Sequence, residues 1–183
     1  RHAVIESLLE RLGFRPKIRA VATWYAGVHF ASTLEADWAA TFDSLGISWS
    51  YEPVAVKLST GELYRCDFWL RGIRCWCEVK GPHNLRIEKP RQLWVDLGAD
   101  ADDWRAPLVV ICREPARGFA VVERADGAPV AIDECRRCRN FSFLDLDGPW
   151  QCRSCGFWEK RTGGVMPIPF IQTYRSASRK AVS

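Results

Sequence analysis

The stretch "CDFWLRGIRCWCEVKG", residues 66–81, decides how this chain is expected to fold. Short runs of aromatic and small apolar residues lie on both sides of a turn at 71–72, and this pattern is typical of two neighbouring strands. Side chains alternate between the two faces of a strand, so Glu78 and Lys80 share one face. With an even number of residues in the connecting loop, Asp67 falls on that same face. The pattern therefore predicts two carboxylates and an amine side by side.

Such a cluster has the chemistry of a magnesium site. Mg²⁺ prefers oxygen ligands, keeps several waters and leaves positions for phosphate oxygens. A lysine beside it can orient or deprotonate an attacking water and offset the charge that builds on a phosphoryl group. The alternative is a solvated surface pair of Glu78 and Lys80 with Asp67 as a separate strand-edge charge, because charged side chains are usually exposed.

The flanking segments predict an α/β domain with a mixed sheet. Residues 32–47 read as a helix, with Ser32 as its N-cap and Glu35 at the capping-box position. The other predicted elements are an N-terminal amphipathic helix within 1–14, hairpin strands at 48–58 and 63–72, a strand at 73–81, a helix at 87–99 and a buried strand at 106–114. The central order is therefore helix, three strands, helix, strand.

This combination resembles the restriction-endonuclease-like nucleases, the PD-(D/E)XK superfamily, whose core order is αβββαβ. The resemblance implies that Asp67 and Glu78 bind Mg²⁺ or Mn²⁺ and that Lys80 positions the attacking water. It also implies that Glu35, on the first core helix, contacts the metal directly or through water. The proline that the family has before its first acid is replaced here by Cys66. The implied activity is endonucleolytic cleavage of DNA, and by analogy a homodimer is expected for duplex cleavage.

Four of the eight cysteines follow the spacing C-x2-C-x13-C-x2-C. They are Cys135, Cys138, Cys152 and Cys155. Two closely spaced pairs are typical of a zinc ribbon, in which four thiolates form a closed structural site. The alternatives are two disulfides or two redox-active CxxC pairs. The remaining cysteines lie on predicted strands and are expected to be small buried hydrophobic residues: Cys66, Cys75, Cys77 and Cys112.

The excess positive charge lies in the C-terminal part of the chain. Residues 1–130 carry 17 basic and 17 acidic residues, whereas residues 131–183 carry nine and five. The candidate contacts to DNA phosphates are Arg136, Arg137, Arg139, Arg153, Lys160 and Arg161. Phosphate contacts of this kind anchor a protein without reading sequence. An ordinary solvated surface is the alternative.

These patterns divide the 183 residues into a nuclease-like domain at 1–130, a zinc ribbon at 131–165 and a basic tail at 166–183. No apolar run approaches the ~20 residues of a membrane span, so no membrane association is expected. The cysteine usage predicts a reducing compartment. The expected localisation is the cytoplasm, for a protein encoded by a prokaryote or a phage. A second function stays open: a non-catalytic nucleic-acid-binding module that uses the ribbon and the basic region.

Overall fold

The computed structural model describes residues 20–82, 84, 86–98, 105–146, 150–159 and 167–173. The predicted N-terminal helix lies outside this range. The elements are β1 (Thr23–Tyr25), β2 (Val28–Phe30), α1 (Thr33–Ser44), β3 (Trp49–Tyr51), β4 (Ala55–Lys57), β5 (Leu63–Arg65), β6 (Phe68–Leu70), β7 (Cys75–Lys80), α2 (Glu88–Asp96), β8 (Leu108–Arg113), β9 (Val122–Arg124), β10 (Val130–Glu134), β11 (Phe141–Asp145), β12 (Trp150–Gln151) and β13 (Trp158–Glu159). Within the described ranges, no helix combines the length and the apolar character that crossing a membrane requires.

A five-stranded mixed sheet forms the centre of the fold, in the order β3-β6-β7-β8-β9. Neighbouring strands are antiparallel except for β7 and β8, which run parallel. A parallel pair needs a crossover connection, and α2 supplies it between these two strands. The prediction of an α/β chain with a mixed central sheet is confirmed at this level.

The predicted hairpin is present, but it is interrupted halfway along. Its outer arm is the pair β4–β5 and its inner arm is the pair β3–β6. Pro53 lies at the interruption and cannot donate to a ladder. The residue before it, Glu52, has a φ of 41° and donates its N–H to the carbonyl oxygen of Asp67 at 2.8 Å. The interruption thus leaves Asp67 at the bend immediately before β6.

Helix α1 covers one face of the sheet through aromatic packing. Ser32 caps the helix by accepting a hydrogen bond from the backbone N–H of Glu35 at 3.2 Å, as the capping box predicts. Phe42 meets Phe68 of β6 with ring centroids 5.5 Å apart. Trp38 and Phe42 are fully buried in this layer. Burial of large aromatic side chains is the main source of stability in such a core.

The opposite face of the sheet carries the polar residues of β7. Trp69 and Trp76 are cross-strand partners, and their rings lie 4.7 Å apart. They therefore point away from the face on which Phe68 meets α1. Since side chains alternate along a strand, Glu78 and Lys80 project on the same face as Trp76.

The four cysteines predicted to be core residues are all fully buried: Cys66, Cys75, Cys77 and Cys112. Burial raises the pKa of each of these thiols. A protonated, buried thiol is a poor nucleophile and packs as a small hydrophobic group. The prediction of a packing role is confirmed.

Residues 167–173, which the sequence divides off as the start of a basic tail, pack against the domain. Ile168 accepts a hydrogen bond from Ala120 N–H at 2.8 Å, and the ring of Phe170 meets that of Trp38 at 5.2 Å. Thr173 donates from its hydroxyl to buried Asp37 at 2.6 Å. This segment therefore belongs to the body of the fold. The rest of the predicted tail, 174–183, lies outside the described residues.

Candidate active site and metal centre

The acids predicted on adjacent strands are neighbours. Phe68 pairs with Cys77 in the antiparallel register, so Asp67, one residue earlier, lies beside Glu78. The Oδ2 atom of Asp67 accepts a hydrogen bond from the backbone N–H of Val79 at 2.7 Å. The bend before β6 and the register of the strands together hold this carboxylate against β7.

Glu78 is buried, with 6 % of its surface exposed, and both of its carboxylate oxygens have donors. Oε1 accepts from Lys80 Nζ in a close ion pair. Oε2 accepts from the hydroxyl of Tyr64 at 2.6 Å. The lysine side chain is itself only 13 % exposed. A solvated surface pair, the alternative drawn from the sequence, would expose both partners, so it does not describe Glu78 and Lys80.

The two carboxylates repel each other. Burial raises the pKa of the Asp67 carboxyl well above its usual range, and the charge of Glu78 raises it further. Glu35 adds to the rise, while the hydrogen bond from Val79 and the charge of Lys80 oppose it. Like charges in a low-dielectric setting favour either a proton or a cation between them. The carboxylates of Asp67 and Glu78 offer negatively charged oxygen atoms, which are the kind of ligand that Mg²⁺ or Mn²⁺ prefers.

Glu35 is held at the start of α1. Its Oε1 accepts from Ser32 Oγ at 2.7 Å. Its Oε2 accepts from Tyr51 Oη at 2.6 Å and from Ala31 N–H at 3.2 Å. These are structural contacts of a capping arrangement. The charge of Glu35 nonetheless reaches Asp67, because it contributes to the raised pKa of that carboxyl.

The three predicted acids do not all lie close to one another. Within the described residues, only one group of three or more histidine, cysteine or acidic residues has ligand atoms all within 4.8 Å of one another, and it is the cysteine quartet. Glu35, Asp67 and Glu78 do not converge to that distance. Asp67, Glu78 and Lys80 form the compact part of the site.

The four cysteines converge. They lie in two CxxC turns, the first knuckle at Cys135–Cys138 and the second knuckle at Cys152–Cys155. Their Sγ atoms lie within 4.8 Å of one another, with 3.8 Å from Cys135 to Cys155 and 3.7 Å from Cys138 to Cys152. A disulfide would need about 2.05 Å. A tetrahedral ion with bonds of about 2.3 Å separates its sulfurs by about 3.8 Å. The cluster could hold a metal ion such as zinc, and the disulfide alternative does not fit.

The two knuckles have the same backbone hydrogen bonds. Arg139 N–H donates to Cys135 O at 2.8 Å, and Gly156 N–H donates to Cys152 O at 2.8 Å. Both donors have a positive φ, 64° for Arg139 and 72° for Gly156. Glycine adopts this conformation easily, whereas arginine does so at a cost. This matched pair of turns aims all four thiols at one point.

Each knuckle lies between two strands that pair with each other. Strand β10 pairs with β11 across the first knuckle, and β12 pairs with β13 across the second. The segment between the second and third cysteines contains β11, the turn sequence "LDGP" at 146–149 and β12. Most of that turn lies outside the described residues. The described strands pair across the knuckles because each CxxC turn reverses the chain by itself.

The predicted phosphate contacts divide into two groups. Arg136, Arg137 and Arg139 are exposed on the first knuckle. Arg137 lies over the ring of Phe157 at 5.7 Å, and Arg139 pairs with Glu134 at 2.7 Å. They remain predictions as contacts to DNA. Lys160 and Arg161 lie outside the described residues.

Arg153 does not fit the prediction of a phosphate contact. It is 5 % exposed, and its guanidinium donates to the carbonyl oxygen of Ala106 at the start of the segment that leads to β8. Its carbonyl oxygen accepts from the guanidinium of Arg74 at 3.2 Å. The side chain joins the second knuckle to the central sheet. Sequence alone treated all arginines between the cysteines alike, because their spacing does not tell which one faces the domain.

Sequence reasoning also missed two tyrosines. Tyr64 and Tyr51 bind the carboxylates of Glu78 and Glu35, respectively, through their hydroxyls. A usable signal existed: a tyrosine buried on a strand needs a partner for its hydroxyl, and acids were predicted nearby.

No protein-family model, curated protein or solved structure matches the chain.

Proposed function

We propose that this protein is a Mg²⁺-dependent DNA endonuclease with a restriction-endonuclease-like core. The observation that carries the proposal is the group formed by Asp67, Glu78 and Lys80. Burial raises the pKa of Asp67, the charge of the adjacent Glu78 raises it further, and a lysine of low exposure contacts Glu78. A structural ion pair needs one acid and one base. A second acid at the same place favours a proton or a cation between the two carboxylates, and the proposal takes the cation.

The order of elements supports the same reading. When the separate hairpin arm β4–β5 is set aside, the helices and the strands of the central sheet come in the order α1, β3, β6, β7, α2 and β8. This is the order helix, three strands, helix, strand of the PD-(D/E)XK core. The spacing of the acids supports the proposal as well, because Asp67 comes immediately before β6 and Glu78 lies on β7, two residues before Lys80.

In the proposed reaction Asp67 and Glu78 would hold the ion, and Glu35 would contact it directly or through water. Mg²⁺, when bound, supplies positive charge next to the scissile phosphate. Lys80 orients the attacking water and offsets the growing charge on the phosphoryl oxygens. The oxygen of the water bonds to phosphorus as the bond to the 3′ oxygen breaks. A proton passes from the water to the medium and another reaches the leaving oxygen, which gives a 5′ phosphate and a 3′ hydroxyl.

The test is nicking of supercoiled plasmid with Mg²⁺ or Mn²⁺. We expect Asp67→Ala and Lys80→Ala each to reduce the rate at least about 100-fold, the usual order for loss of a charge-stabilising group. Lys89→Ala is the matched control, because Lys89 is outside the proposed site and forms an exposed ion pair with Glu62, with 3.2 Å between the charged atoms. It should nick at the rate of the wild-type protein. Equal nicking by all four proteins would identify a contaminating nuclease and reject the proposal.

The ribbon has a proposed role of its own. We infer that zinc occupies the four-cysteine cluster and that its arginines hold DNA against the domain. The exposed Arg136 and Arg137 favour this, and they also support the second candidate function, a binding module without catalysis. The same plasmid assay separates the two. DNA binding that weakens with salt, combined with no cleavage that depends on Lys80, would favour the binding module.

A further inference from the structure

Tyr64 is the second partner of the buried Glu78 carboxylate. Its hydroxyl donates to Oε2 at 2.6 Å, and its side chain is 5 % exposed. It lies on β5, which pairs with β4 outside the five-stranded sheet. The outer arm of the interrupted hairpin therefore brings this hydroxyl to β7 from a separate small sheet.

The contact fixes the orientation of the carboxylate. Lys80 holds Oε1 and Tyr64 holds Oε2, so neither rotation of the carboxylate nor a change of side-chain rotamer is free. Each carboxylate oxygen has two lone pairs. Oε2 can therefore keep the hydrogen bond from Tyr64 and still offer a lone pair to a cation. A residue that hydrogen-bonds to a metal ligand sets both the orientation and the basicity of that ligand.

We propose that Tyr64 is a positioning residue for the metal site, one that holds Glu78 in the orientation that binds the catalytic Mg²⁺ or Mn²⁺. The inference rests on the proposed nuclease function.

The protein offers a matched comparison for this residue. Tyr25 donates to Asp43 Oδ2 at 2.8 Å, another tyrosine-to-carboxylate bond, at the C-terminal end of α1. Asp43 has no part in the proposed metal site. Removal of either hydroxyl deletes one hydrogen bond of the same chemical kind. Only the removal at Tyr64 should change metal binding.

The experiment compares Tyr64→Phe, Tyr25→Phe and the wild-type protein in two measurements. Mn²⁺ binding is measured by calorimetry without DNA, and plasmid nicking is measured over a range of Mg²⁺ concentrations. We expect Tyr64→Phe to weaken Mn²⁺ binding and to raise the half-maximal Mg²⁺ concentration by about 10- to 100-fold, with excess metal restoring the rate. Tyr25→Phe should match the wild type in both.

Wild-type metal affinity in folded Tyr64→Phe would overturn the inference and leave the nuclease proposal intact. A wild-type protein that neither binds Mn²⁺ nor nicks would reject the nuclease proposal itself. If Tyr64→Phe does not fold, carbon-13 labelling of the four tyrosine rings in the wild-type protein gives an independent measurement. The resonance of Tyr64 should shift on Mg²⁺ addition with the midpoint of nicking, and a resonance that stays unmoved at saturation would overturn the inference.

Discussion

The cysteine cluster and the acidic site are built in opposite ways. Each half of the cysteine cluster is a short turn closed by its own backbone hydrogen bonds, and the two halves have the same pattern. The acidic site takes Asp67 from a break in a hairpin and Glu78 from a central strand, with Tyr64 reaching across from a second sheet. The backbone geometry of each turn positions the thiols, whereas the packing of separate strands and sheets positions the carboxylates. One region is therefore expected to depend on its metal to fold, and the other to fold without it.

The largest expected effect is loss of the ribbon when its metal is removed. A small module with four thiolates draws its folding energy from zinc, about 10–16 kcal/mol of apparent binding free energy in comparable sites. We expect chelation or Cys138→Ser to abolish amide protection from hydrogen exchange in β10–β13, with protection in β6–β8 retained. Zinc content by elemental analysis and hydrogen exchange by mass spectrometry measure the two parts.

Cys75→Ala is the control for that comparison, because Cys75 is buried in the sheet and lies outside the cluster. It should keep one zinc ion per chain. Protection that disappears from the sheet and the ribbon at the same chelator concentration would contradict the idea that they fold separately.

A smaller effect is expected at the contact between the two regions. Arg153→Met removes the donor to the carbonyl oxygen of Ala106 and should lower the free energy of unfolding by about 2 kcal/mol, as loss of a buried charged hydrogen bond usually does. Arg136→Met, at an exposed position on the first knuckle, should change it by less than about 0.5 kcal/mol. Urea denaturation measures both. Equal effects from the two substitutions would contradict the structural role of Arg153.

The smallest expected effect is a gain in stability at the acidic site. A carboxyl whose pKa is raised by folding destabilises the folded state at pH values above its unfolded pKa of about 3.9. The penalty grows as the pH rises from there to the raised pKa of Asp67. At neutral pH without divalent metal, Asp67→Asn should therefore have a higher free energy of unfolding than the wild type, because burial and the charge of Glu78 raise the pKa of the Asp67 carboxyl.

Thermal unfolding at pH 4 and at pH 7 tests this sign. The advantage of Asp67→Asn should shrink at pH 4 and should also shrink when Mg²⁺ is added to the wild type. A substitution that destabilises the metal-free protein at both pH values would show that Asp67 is a structural acid, and the contrast with the cysteine cluster would be lost.

Several features could be predicted because their determinants are close together in the chain. The spacing of the four cysteines predicted their convergence, and Ser32 with Glu35 predicted the start of α1. Strand alternation predicted that Glu78 and Lys80 share a face. The hairpin was predicted too, but its interruption was not, although Pro53 was a visible reason for one. Turns, caps and alternation each involve a few neighbouring residues, so their geometry follows from residue type.

The sequence by itself determined the cysteine turns, the mixed α/β character of the chain and the pairing of a lysine with an acid two residues before it. Only the tertiary structure decided that Arg153 is buried while Arg136 is exposed, that Tyr64 reaches Glu78, and that residues 167–173 return to α1. The physical reason is distance along the chain. These contacts join residues 14 to 136 positions apart, and their choice of partner depends on how whole elements pack, which residue type does not specify.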